Sequence, residues 1–157
     1  MASDEKRAEA KRAKAKLKQA REAAASVPRR QRGVLIVESD PNMQWKLARI
    51  LTVNGNRVVG TSTGSGALAL ISEWPVDLVL VDEDLPGMNG FELARHIRQR
   101  HPEIPVVLMT DPQNTEMHVA ARLAGAVACI AKPFRPENLL ELFSTLQIQG
   151  LLLAPVG

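Results

Sequence analysis

Short apolar runs followed by stretches of helical periodicity recur five times between Gly33 and Ile148, and that alternation leaves few folds open. Residues 34–37, 78–81 and 106–109 are too short to be helices of their own and are rich in β-branched residues, so each is expected as a strand buried on both faces. Residues 57–60 and 127–130 supply two further short strands. Between them, apolar residues fall at helical spacing over residues 41–53, through Met43, Leu47, Ile50 and Leu51, and again around Ala67, Leu68, Leu70 and Ile71. Residues 91–100 place Phe91, Ala94 and Ile97 inward, a weaker helix is expected over about 114–123, and residues 136–148 line up Leu139, Leu142, Phe143 and Leu146. Asn54-Gly55 and Gly125 suit helix ends, and Pro136 suits a first turn. Since right-handed crossovers are nearly obligatory, five such units imply an α/β fold: a doubly wound, five-stranded parallel sheet with helices on both faces.

Ligands of such sheets bind beyond the carboxyl ends of the strands, so the residues that follow each apolar run are the candidates for chemistry. The richest is DLVLVDEDLPGMNG, residues 77–90, where the strand stops at Asp82, Glu83 and Asp84 before the Pro86-Gly87 turn. The first strand delivers Glu38, Ser39 and Asp40, the fourth Thr110 and Asp111, and the fifth is followed by Lys132-Pro133. Clustered carboxylates stay ionised together only beside a cation, and an oxygen-only set favours a hard ion such as Mg²⁺. With that ion bound, an Asp carboxylate can act as nucleophile toward a phosphoryl donor while a lysine and a hydroxyl stabilise the transferred oxygens. The bland alternative, an acidic loop that only solubilises, leaves the convergence of hydroxyl and ammonium unexplained. No Walker loop, GxGxxG, zinc spacing or nucleophile elbow is present, which argues against nucleotide hydrolysis, dinucleotide binding, zinc and acyl transfer. His96, His101 and His118 read as surface residues without partners, Trp45 and Trp74 as half-exposed helix residues.

The charge is unevenly placed. Residues 1–33 hold eleven Lys and Arg against four Asp and Glu, net +7, whereas residues 34–157 hold nine against thirteen, net −4. Residues 1–33 are therefore read as a basic, Ala/Lys/Arg-rich arm, helical or disordered, closed by Pro28 and the cluster Arg29, Arg30 and Arg32. With no aromatic residue for base stacking and no apolar face for lipid, neither nucleic acid nor a membrane is expected as its partner. No stretch reaches about 18 apolar residues and no apolar leader is present, so a cytoplasmic, soluble chain is expected. The single cysteine, Cys129, fits a reducing compartment and core packing.

Taken together, VLIVESD, DLVLVDEDLPGMNGFEL, IPVVLMT and LAGAVACIAKPF resemble a response-regulator receiver domain over residues 34–149, in that family's order and spacing. The resemblance implies strand order 2-1-3-4-5, with residues 150–157 as a C-terminal tail. It also implies Asp82 as phosphoacceptor, Thr110 as switch hydroxyl, and Lys132, followed by a cis Pro133, as the phosphoryl-binding lysine. Glu38, Ser39, Asp82 and the backbone carbonyl of Asp84 would be the metal set. The expected partners are a histidine kinase or histidine phosphotransfer protein and a downstream target that meets the helix before the fifth strand, that strand and the last helix. A homodimer is compatible with this reading, and no enzymatic activity is expected beyond self-phosphorylation and self-dephosphorylation of Asp82.

Four positions depart from the family pattern. Glu38 and Ser39 stand where two adjacent aspartates are usual, which removes a direct carboxylate ligand and should weaken Mg²⁺ binding. Asp111 replaces a small residue after Thr110, and Cys129 replaces the aromatic residue that swings inward on activation. Two functions therefore stand side by side: a phospho-accepting receiver of a two-component phosphorelay, and a pseudo-receiver that binds a partner without phosphorylation.

Overall fold

Side-chain alternation along each strand decides which helix covers which face of the sheet. The computed structural model describes residues 2–26, 31–111 and 116–152. It divides the chain into two units, residues 1–30 and residues 31–157. The first contains helix α1, Ala2–Ser26, whose first turn carries Asp4 and Glu5, the acidic residues that suit the positive end of a helix dipole. Residues 3–19 of α1 are exposed apart from the half-buried Ala8.

The second unit runs β1 (Gly33–Val37), α2 (Pro41–Val53), β2 (Arg57–Thr61), α3 (Gly64–Glu73), β3 (Leu78–Asp82), α4 (Gly90–Arg100), β4 (Val106–Thr110), α5 (Glu116–Leu123), β5 (Ala128–Ala131) and α6 (Pro136–Ile148). Its five strands are all parallel, in the order β2-β1-β3-β4-β5. Leu35, Val37, Val79, Val81, Val106 and Leu108 point to one face, where they pack with Ala67 and Ile71 of α3, Leu93, Ala94 and Ile97 of α4 and Ala121 of α5. Val34, Ile36, Leu78, Leu80, Val107 and Met109 point to the other, against Leu47 and Leu51 of α2 and Leu139, Phe143 and Leu146 of α6. Truncating one of these buried leucines to alanine would cost about 2–5 kcal/mol. No described helix is long and apolar enough to cross a membrane.

The structure differs from the sequence reading in several places. On α4, Leu93 is the fully buried residue along with Ala94 and Ile97, while Phe91 packs at the margin, half-buried. Arg32, assigned by composition to the basic arm, is only 4% exposed. Its Nε donates to Asn56 Oδ1 at 2.6 Å, and its guanidinium lies 5.2 Å from the centre of the Phe143 ring. Burial pushes the Arg32 pKa down and the charge of Asp77 works against that shift. Leu152, assigned to the tail, is buried in the core on the α6 side, brought there after Gly150 turns the chain at a φ of 75°. The start of the helix expected from residue 114 lies outside the described residues. Trp45 is 61% exposed and Trp74 half-buried, each with an arginine (Arg49 and Arg57) over its ring. His101 Nδ1 lies 3.7 Å from Glu103 Oε1.

Candidate functional site

Parallel strands bring their carboxyl ends to one edge, so the polar residues that terminate β1, β3, β4 and β5 meet there by topology. The neighbouring turns are fixed by local chemistry. After β1, the Glu38 amide donates to Thr61 O at 3.0 Å, continuing the ladder to β2, and the Gln44 side chain donates to both Glu38 O and Thr61 O at 3.0 Å. Asp40 caps α2 by accepting from the Asn42 amide at 3.0 Å, which satisfies a helix-end donor and leaves its carboxylate at the exposed rim. After β3, Gly87 turns the chain at a φ of 79°, and Asn89 caps α4 through the Glu92 amide at 2.9 Å. Gly90 sits so close to the backbone of Asp82 and Glu83 that any β-carbon there would collide with it. That glycine lets α4 begin directly against the end of β3.

At the centre lies one ammonium between two carboxylates. Lys132 Nζ is 3.0 Å from Asp82 Oδ2 and 3.1 Å from Glu38 Oε2. Glu38 is 2% exposed and Asp82 6%, whereas Lys132 remains partly open to solvent. Burial raises the Glu38 pKa most, and the Asp82 charge adds to it, against the lowering effects of the Asp40 amide and Lys132. For Lys132, burial lowers the pKa, but hydrogen bonds and charge from Asp82 and Glu38 together outweigh it, so the ammonium is held above its ordinary value. The Lys132–Pro133 peptide is cis, and the Lys132 amide donates to Thr110 O at 2.8 Å. Lysine and threonine are thereby locked at the ends of adjacent strands.

Thr110 is 2% exposed at the end of β4. Asp111 is exposed, and its amide donates to Glu83 Oε1 at 2.8 Å, a tie not legible along the chain because it depends on the register of β3 against β4. Glu83 Oε2 is buried with no hydrogen-bond partner among the described residues. Cys129 is half-buried; desolvation pushes its thiol pKa up, Arg122 pulls the other way and Glu83 adds to the rise. A thiol so placed is a poor nucleophile.

The structure brings Glu38, Asp82, Thr110 and Lys132 together; it places Ser39, Asp84, Asp111 and Pro133 at the exposed rim. Glu38 Oε1 already accepts from the Asp40 amide at 3.2 Å, while Asp82 Oδ1 receives only a long, 3.5 Å contact from the Asp84 amide. Among the described residues no group of three or more His, Cys, Asp or Glu is gathered as a metal centre. The two buried carboxylates, Glu38 and Asp82, are hard oxygen donors; with the Asp84 carbonyl that the family resemblance implies, and water, they would suit a small hard divalent ion with few protein ligands.

Comparison with known proteins agrees with this geometry. The profile described as "Response regulator receiver domain" matches residues 34–144. The DNA-binding transcriptional regulator NtrC of Salmonella typhimurium is 35% identical over 113 residues, 71% of this chain and 24% of that protein. The transcriptional regulatory protein TcrA of Mycobacterium tuberculosis is 35% identical over 114 residues, 73% of this chain and 44% of that protein. The chain thus spans less than half the length of these curated relatives. Among solved structures, a CheY-like response regulator receiver domain protein from Methanospirillum hungatei JF-1 superposes with a TM-score of 0.72 at 30% identity, covering 78% of this chain and 97% of that one. The receiver domain of NtrX from Brucella abortus gives a TM-score of 0.68 at 31% identity, covering 71% and 95%.

Proposed function

Because the chain belongs to the response regulator receiver domain family, we propose that Asp82 accepts a phosphoryl group from a phosphohistidine of a kinase or phosphotransfer protein. The observation that carries this reading is the Lys132 ammonium held 3.0 Å from Asp82 Oδ2 at the carboxyl edge of the sheet. An Asp82 oxygen attacks phosphorus, a P–O bond forms as the P–N bond breaks, and the departing imidazole nitrogen keeps the electron pair and takes a proton. Bound Mg²⁺, held by Asp82, Glu38 and the Asp84 carbonyl, would neutralise charge on the phosphoryl oxygens. Asp82 supplies the nucleophile. Lys132 exchanges its contact with Asp82 for one with a phosphoryl oxygen, stabilising the added charge of about −1.5 to −2. Thr110, at the adjacent strand end, reaches the same group with its hydroxyl and draws the loop after β4 with it. Chemistry is confined to gain and loss of this phosphoryl group. The surface formed by α5, β5 and α6 passes the change to a downstream protein; Val119 and Leu123, one turn apart on α5, are exposed there at 62% and 79%.

A second reading rests on the same ion pair. Lys132 already pairs with both carboxylates, Ser39 offers no charge and Glu38 Oε1 is engaged, which favours a pseudo-receiver whose α5–β5–α6 surface binds without phosphorylation. Transfer from a phosphohistidine donor, followed by borohydride reduction and peptide mass mapping, separates the two. Homoserine at position 82 supports phosphoryl acceptance; an unreduced peptide in every case supports the pseudo-receiver.

A further inference from the structure

The strongest unassigned feature lies in the first unit. At 100° per residue, Arg7, Lys11, Lys14 and Lys18 of α1 fall within a sector of about 60°, and residues 7–18 extend about 16 Å along the axis. All four side chains are exposed and none makes an ion pair or hydrogen bond with a described residue. The opposite sector holds Glu5, Glu9, Arg12 and Lys16, net zero. Net positive charge is therefore greater on this face, which holds four of the eight Lys and Arg of α1 with Asp4 and Glu22 at its edge. Neighbouring cations at i, i+3 and i, i+4 weaken an isolated helix, so the stripe is a burden unless an anionic surface relieves it.

Against the expectation from composition that the arm has no nucleic-acid partner, which rests on the missing stacking residues that only single strands need, we infer that this stripe docks α1 on the phosphate backbone of double-stranded DNA, without reading base sequence. The occupant follows from charge and shape. A membrane would need an apolar face, and Leu17 is the only large apolar side chain between Ala2 and Ser26. Single strands would need stacking side chains, and the helix has no aromatic residue. Alanines at positions 8, 10, 13 and 15 keep the helix slender. The major groove of B-form DNA admits an α-helix, whereas the deep, narrow groove of A-form RNA does not.

The test is fluorescence anisotropy of a labelled random-sequence duplex titrated with the full chain at several salt concentrations between about 25 and 200 mM. Four phosphates neutralised predict a slope of log K against log salt of about −3 to −4. Two triple variants of equal net charge locate the contact. Lys11→Gln with Lys14→Gln and Lys18→Gln should bring the slope to about −1, while Lys6→Gln with Arg12→Gln and Lys16→Gln should leave it within about one of the parent. Helicity by circular dichroism should rise on adding duplex. Equal losses in the two variants, no duplex binding at the lowest salt, or equally tight binding of duplex RNA would overturn the inference. So would displacement of the duplex by polyglutamate at equal charge, or equal binding to anionic lipid vesicles.

Discussion

β1 and β3 are neighbouring parallel strands, both buried along their length, and both end in a short polar series: Glu38-Ser39-Asp40 and Asp82-Glu83-Asp84. In each the first carboxylate is buried and reaches Lys132 and the third residue lies exposed; the second is exposed in β1 and half-buried in β3. Yet the ends do different work. At β1, Glu38 is already engaged by the Asp40 amide and Asp40 is spent capping α2. At β3, Asp82 Oδ1 has only a long contact, Glu83 grips the loop after β4, and Gly90 holds α4 against the strand end. Under the proposed phosphoryl acceptance, β1 contributes a carboxylate held by its own loop and β3 contributes the accepting oxygen.

Losing the reactive end should have the largest effect: Asp82→Asn should abolish phosphoryl incorporation, because an amide is not a competent nucleophile. Removing the shared cation comes next. Lys132→Ala leaves two buried carboxylates facing each other, and should lower stability at neutral pH by about 3 kcal/mol, read by urea denaturation, while weakening incorporation. A loss much smaller than this would mean that solvent already screens the pair. At the β1 end, Ser39→Asp should tighten Mg²⁺ about tenfold by adding an anionic oxygen; calorimetry showing the parent equally tight would mean that Glu38 suffices.

The smallest effect concerns pH. Since the folded state raises the Glu38 pKa, chiefly by burial, the group's contribution to stability is fully present in acid and is lost as pH rises through that raised value toward neutrality. Glu38→Gln should flatten this decline in urea midpoints between acid and neutral pH; parallel curves for the two proteins would show that Lys132 compensates fully. Lys132, whose pKa is also raised, contributes across this whole window, and its contribution is lost only at strongly alkaline pH.

The central strands were legible because strands buried on both faces must be apolar without interruption, which their sequences display. Edges were less so. Arg32 reads as one more arginine in a basic series; only the position of Phe143 on α6 and Asn56 before β2 makes it a buried residue. Leu152 depends on a glycine turn, whereas Leu93 shares the helical face of Gly90, Ala94 and Ile97, a spacing the sequence reading passed over in favour of Phe91. At the site, motif spacing indicated which residues converge, Asp82, Thr110, Lys132 and Glu38 among them. That one ammonium bridges Asp82 and Glu38, and that Glu83 ties down the Asp111 amide, are matters of distance across strands that a linear sequence does not carry.

The most direct test of phosphoryl acceptance at the β3 end is intact mass after incubating the chain and its Asp82→Asn variant with phosphoramidate or acetyl phosphate and Mg²⁺. One added phosphoryl group is expected on the parent and none on the variant; equal incorporation in both, or none in the parent from these donors and from a phosphohistidine donor, would contradict acceptance at Asp82.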